Sequence, residues 1–115
     1  MALSELEITL CEKPLAAFMR KRRPPVHIRD KLDLAYRIKG QSIEIFTIRP
    51  HWEDASRKTE EAVAKATYNR KANIWKIFWQ RADMKWHGYQ PHLEAESVEE
   101  FLYVVDKDDH GCFFG

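Results

Sequence analysis

Five strand-like segments lie between residues 32 and 89, and no link between them exceeds about ten residues. A parallel crossover needs a dozen or more residues, so consecutive strands joined this way pair antiparallel. Leu32, Leu34, Tyr36 and Ile38 alternate with Asp33, Ala35, Arg37 and Lys39, the pattern of a half-buried strand. Gly40-Gln41 suits a two-residue turn with Gly at its first central position, and Ser42 to Arg49 is the return strand, ended by Pro50. Residues 51–60 are polar and read as a loop with room for a helical turn. A third strand, from about Glu61 to Tyr68, sets Ala62, Ala64, Ala66 and Tyr68 on one side, small enough for close packing. After a turn at 69–73 comes the most strand-like stretch, Ile74 to Gln80, then a turn at 81–83 and a shorter strand from Met84 to Tyr89.

Helical signals sit at both ends. Ser4 with Glu7, and Ser97 with Glu100, have the spacing of capping boxes. Leu6, Leu10, Leu15, Phe18 and Met19 form an apolar stripe in the first helix. Pro14 interrupts it and predicts a kink or two short helices. Val98, Phe101, Leu102 and Val105 give the cleaner periodicity of the second. The expected fold is therefore α+β: an antiparallel four- or five-stranded meander with the N-terminal and C-terminal helices packed on one face. At 115 residues, 44% hydrophobic and 32% charged, a single globular domain over 1–115 is expected.

The two cysteines, Cys11 and Cys112, make no disulfide framework and suggest a reducing compartment. The acidic N-terminus does not have the order of a signal peptide, and the apolar runs are too short to span a membrane, so a cytoplasmic location is expected. Charge is uneven. Residues 20–92 carry 17 Lys/Arg against eight Asp/Glu, a net of +9, whereas residues 93–115 carry one Lys against seven acids. A basic middle with an acidic tail attracts an anionic partner or neutralises itself. The closing Phe113 and Phe114 predict a docked tail, since two adjacent Phe are unfavourable in water.

Leu32-Asp33-Leu34-x-Tyr36-Arg37-Ile38 and Gln41-Ser42-x-Glu44-x-Phe46-x-Ile48-Arg49-Pro50-x-Trp52 occur together with Ala64-Lys65-Ala66-Thr67-Tyr68. Trp75-Lys76-x-x-Trp79-x-Arg81-Ala82-Asp83-x-Lys85-Trp86-His87 and the terminal His110-Gly111-Cys112-Phe113-Phe114-Gly115 complete the set. In these motifs, which cover nearly the whole chain, the sequence resembles the domain-of-unknown-function family numbered 3024. The resemblance implies a small bacterial protein. It brings no activity, ligand or catalytic residue with it.

The strongest candidate site interleaves Trp75, Phe78, Trp79 and Trp86 with Lys76, Arg81, Lys85 and His87. Rings that stack bases beside cations that hold phosphates make single-strand nucleic-acid surfaces. The competing assignment puts Trp75, Ile77 and Trp79 on one strand face as core, with Lys76 in solvent, and it takes precedence because large aromatics are usually buried. The tetrad Arg20, Lys21, Arg22 and Arg23, with Arg29 and Lys31 nearby, suits phosphate or an acidic protein, although a solvated helix end needs no ligand. His87, His92 and Glu94, with Asp108, Asp109, His110 and Cys112, would converge on a metal only if the tail folded back, and their spacing matches no zinc motif. Asp33, Glu44 and Lys65 sit on successive strands as a nuclease-like set, but a cross-strand ion pair is the simpler role for Asp33.

The sequence thus points to a non-enzymatic binding domain that offers a basic, aromatic-rich sheet to an anionic partner, nucleic acid ahead of an acidic protein. The candidate contacts are Arg20, Lys21, Arg22, Arg23, Lys76, Arg81, Lys85, Trp86 and His87, with no catalytic residue, metal or cofactor expected. A metal-dependent hydrolase and a structural or homodimerising module are the other classes.

Overall fold

The computed structural model describes residues 2–114. Its elements follow the order α1 (Glu5–Arg22), β1 (Asp33–Lys39), β2 (Ser42–Pro50), β3 (Lys58–Asn69), β4 (Ile74–Gln80), β5 (Trp86–Gly88), β6 (Glu94–Ala95) and α2 (Val98–Lys107). The fold is α+β, with two helices on one face of an antiparallel sheet in the path β1-β2-β3-β4-β5. β6 also pairs with β4. β5 and β6 both run antiparallel to β4, opposite Phe78–Gln80 and Trp75–Lys76 respectively. Together they form one broken fifth strand, interrupted by a turn over residues 89–93. The expected strand from Met84 to Tyr89 is shorter, because Met84 turns with φ +64° and Tyr89 leaves the ladder.

α1 begins with the capping box: the Glu7 N–H donates to Ser4 Oγ at 3.1 Å and the Ser4 N–H to Glu7 Oε1 at 2.8 Å. The helix then continues through Pro14 and is not divided into the two short helices that were one of the expected outcomes. Cys11, Leu15 and Phe18 anchor both sides of the proline to the sheet, and their burial outweighs one lost helical bond. The apolar stripe is also displaced from its expected position, because Leu6 and Leu10 are 69% and 66% exposed.

The β1–β2 hairpin closes at Gly40, whose φ of +62° lies in the region where L side chains are strained. Leu34, Tyr36 and Ile38 of β1, Ile43 and Ile45 of β2, Ala64 and Ala66 of β3, and Trp75 and Ile77 of β4 face the helices. β3 carries an extra residue, Val63: Ile45 opposes Ala64 but Phe46 opposes Ala62. This bulge reverses the alternation, so Ala62 lies on the opposite face from Ala64 and Ala66, not beside them as expected.

α2 buries Val98, Phe101, Leu102, Val104 and Val105 against that face. Ser97 caps it, accepting from the Glu100 N–H at 3.1 Å. Glu100 does not complete the second capping box. Its carboxylate instead accepts from the Glu96 N–H at 2.9 Å and contacts His92 Nε2 at 2.6 Å. Asp108 ends the helix in the left-handed region, and its carboxylate accepts the N–H groups of Phe113 and Phe114.

The tail docks within the chain, as expected from its two phenylalanines. Phe113 is 7% exposed and lies 4.7 Å from the Tyr89 ring, while the Arg22 guanidinium covers Phe114 at 4.3 Å. Of the acidic C-terminal segment, Asp106 is the residue that meets a basic cluster. It binds Lys21 and accepts from Arg22 Nε at 2.7 Å, and its backbone oxygen accepts from Arg22 as well.

Hydrogen bonds from Lys21 and Arg22 hold the Asp106 carboxyl below its ordinary value of 3.8. A depressed folded pKa gives stability that is present above the unfolded value and lost as pH falls through the folded one. Acid titration of stability, followed by circular dichroism, should therefore show a decline below about pH 4. Asp106→Asn should be less stable near neutral pH and show a shallower decline.

Candidate functional site

The helices leave the other sheet face without a helical layer. Cross-strand register places Ala35 and Arg37 of β1, Glu44 and Phe46 of β2, Ala62 and Lys65 of β3, Lys76 and Phe78 of β4, and Trp86 of β5 on it. The β1 side of this surface is self-satisfied. The Arg37 guanidinium lies 4.1 Å over Phe46 and pairs with Glu44 at 3.3 Å and with Glu60.

The β3–β5 side differs. The Lys65 ammonium lies 5.6 Å from the Phe78 ring and 5.5 Å from the Trp86 ring, both half-buried, and Lys76 is exposed beside them. Neither lysine has an ion pair among the described residues. A cleft of about 180 Å³ adjoins Phe78, walled by Lys76, Leu93 and Glu94 and floored by Gly88. Gly88 keeps it open, since a Cβ there would come within 3.1 Å of the Leu93 side chain. Two cations without an ion pair among the described residues, each opposite a glutamate in the register (Glu44 and Glu94), thus share one surface with two flat rings and a cleft.

Lys76 and Trp86 of the expected contacts belong to this surface. Trp75, Ile77 and Trp79 face the helices instead, Trp75 6% exposed and Trp79 half-buried at the core margin. Arg81 lies 5.6 Å from the Trp79 ring, and His87 Nε2 contacts Asp83 at 2.8 Å. Arg81 and His87 therefore line a separate cavity of about 230 Å³ with Trp79 and Cys112. Lys85 is exposed in the β4–β5 turn. The basic tetrad is divided: Lys21 and Arg22 meet Asp106, Arg23 grips Asp33 through two 2.9 Å bonds, and Arg20 makes no ion pair among the described residues.

Lys65 was named only in the nuclease-like set, and Phe78, named among the rings of the candidate site, was left out of the contact set, although the alternation Lys76, Phe78, Gln80 already separates it from Trp75 and Trp79. Lys65 becomes recognisable only through its place opposite Phe78. The nuclease-like set does not assemble, because Asp33 binds Arg23 and stands opposite Ile48, not a cation, while Glu44 pairs with Arg37. Among the described residues no three His, Cys, Asp or Glu side chains converge to hold a metal. Burial pushes the Cys11 thiol up to about 11, and burial with Asp108 raises that of Cys112. Both therefore remain protonated at neutral pH and are weak nucleophiles.

No curated protein and no solved structure matches the chain. One family model does, described as Domain of unknown function (DUF3024), over residues 3–115. The chain belongs to that family.

Proposed function

We propose that this is a binding domain whose helix-free sheet face takes single-stranded nucleic acid. The observation that carries the proposal is Lys65, set between the rings of Phe78 and Trp86 with no ion pair among the described residues, its cross-strand neighbour Glu44 being taken by Arg37. A bound base stacks on a ring that the ammonium now covers, and the displaced ammonium meets phosphate. Lys76 supplies a second phosphate contact, and the cleft between Phe78 and Leu93 seats a base edge, with Glu94 as a hydrogen-bond acceptor. A protein partner is less well served, because Lys65 and Lys76 break up the apolar surface around Phe78 and Trp86. Two free thiols support a reducing cytoplasm, and the family resemblance supports a bacterial one.

Fluorescence anisotropy with labelled single-stranded oligonucleotides tests the proposal. Affinity should fall steeply as salt rises, because phosphate contacts release counterions. Phe78→Ala and Trp86→Ala should each weaken binding by about 1–3 kcal/mol, the range for one stacked base, and Lys65→Glu should weaken it further. Absence of binding at low salt would remove the proposal and leave self-association through the same face as the better account.

A further inference from the structure

On the helix side of β1, the end of α1 and the loop that follows enclose a second basic feature. An open cavity of about 550 Å³ is lined by Ala16, Met19, Arg20, Arg23, Arg29 and Tyr36. Arg23 is committed, both of its bonds going to Asp33. Arg29 donates through Nε to the Pro24 carbonyl at 2.8 Å, which orients the guanidinium while leaving its terminal nitrogens without an ion pair. Arg20 makes no ion pair among the described residues. Three guanidinium groups thus meet the Asp33 carboxylate, and with Glu12 near enough to act on Tyr36 the surroundings keep an excess of one positive charge, carried by Arg20 and Arg29.

A basic last turn ordinarily complements the partial negative charge at a helix C-terminus. Here Lys21 and Arg22 already supply that charge, and the Arg23 N–H occupies the Met19 carbonyl. The macrodipole amounts to about half a charge, so it does not account for the excess on Arg20 and Arg29. The other walls are Ala16, Met19 and the half-buried Tyr36. Burial, with Glu12 as a lesser influence, raises the Tyr36 hydroxyl and keeps it a donor at neutral pH.

We infer that this cavity is a binding site for a small phosphate monoester, with Arg20 and Arg29 on the phosphate, Tyr36 donating, and the ester group against Met19. A phosphate presents three terminal oxygens and close to two negative charges, which matches two guanidinium forks approaching from separate elements. A carboxylate would match only one. The site lies apart from the helix-free face and does not depend on nucleic-acid binding there.

Isothermal titration calorimetry with phenyl phosphate, and with benzoate as the monoanionic comparison, tests the assignment. The wild-type chain should bind phenyl phosphate saturably and benzoate at least tenfold more weakly. Arg20→Gln should lose at least tenfold in phenyl phosphate affinity with an unchanged melting curve, because Arg20 holds no structural partner. Arg29→Lys should lose affinity as well, since an ammonium lacks the fork geometry. Lys65→Glu, on the opposite face, should leave phenyl phosphate binding intact. Absence of saturable binding, undiminished binding by Arg20→Gln, or equal affinity for benzoate would each overturn the assignment.

Discussion

Trp75→Ala should lower the unfolding free energy by about 3–5 kcal/mol, the range for deleting a large buried aromatic. Trp75 is 6% exposed, packs 5.0 Å from the Tyr68 ring and stands opposite Ala95 of β6, so its removal opens a cavity that neither strand nor helix can readily fill. Trp79, two residues along on the same face, is half-buried at the core margin and bridged to solvent by Arg81. Trp79→Ala should therefore cost clearly less than Trp75→Ala. Urea denaturation of the two variants gives the comparison. A larger loss at Trp79 would mean that the core is centred nearer the β4–β5 turn than the packing indicates.

Truncation after Gly111 should have the next largest effect. Burial of a Phe side chain contributes about 1.5–3 kcal/mol, and Phe113 fills its place against Tyr89 almost completely. The truncated chain also leaves the Asp108 carboxylate without the two N–H donors it now accepts from. Calorimetry should show the melting temperature lowered by several degrees, and light scattering an unchanged mass, because the tail docks on its own chain. Phe113→Leu separates packing from tethering: it should recover most of the loss, since it retains both N–H groups and much of the apolar volume. An unaltered melting temperature after truncation would show that the tail adds nothing to the fold.

Much of the architecture was legible because strand period, link length and capping pairs are local properties. Gly40, the strand from Ile74 to Gln80 and the Ser4 cap all fall where short-range chemistry places them. The failures are non-local. Val63 carries no mark of a bulge, and one inserted residue was enough to send Ala62 to the other face. Pro14 argues for a break on its own account, but tertiary burial of Cys11, Leu15 and Phe18 prevails over it. Glu100 had the spacing of a capping partner, yet His92, brought near by the turn after β5, competes for its carboxylate. The candidate site divided along the same line. Alternation placed Lys76 and Trp75 on opposite faces correctly, whereas the meeting of Lys65 with Phe78 and Trp86 depends on register between strands. The tetrad was contiguous in sequence, but around a helix end its side chains part: Lys21 and Arg22 share Asp106, Arg23 binds Asp33, and Arg20 makes no ion pair among the described residues.

The interrupted fifth strand gives the sheet two unequal borders. A long flat border with regular main-chain donors and acceptors is a template for another chain. β5 and β6 offer three and two residues separated by a turn, too short and too irregular to extend a ladder. β1, at the other border, is seven residues long and regular, but carries Asp33, Arg37 and Lys39 at intervals along it. Charged side chains on a border strand discourage pairing with a second copy. A concentrated solution of this chain should accordingly resist ordered fibril growth through either border, and neutralising Arg37 and Lys39 together is the change that would weaken that resistance most.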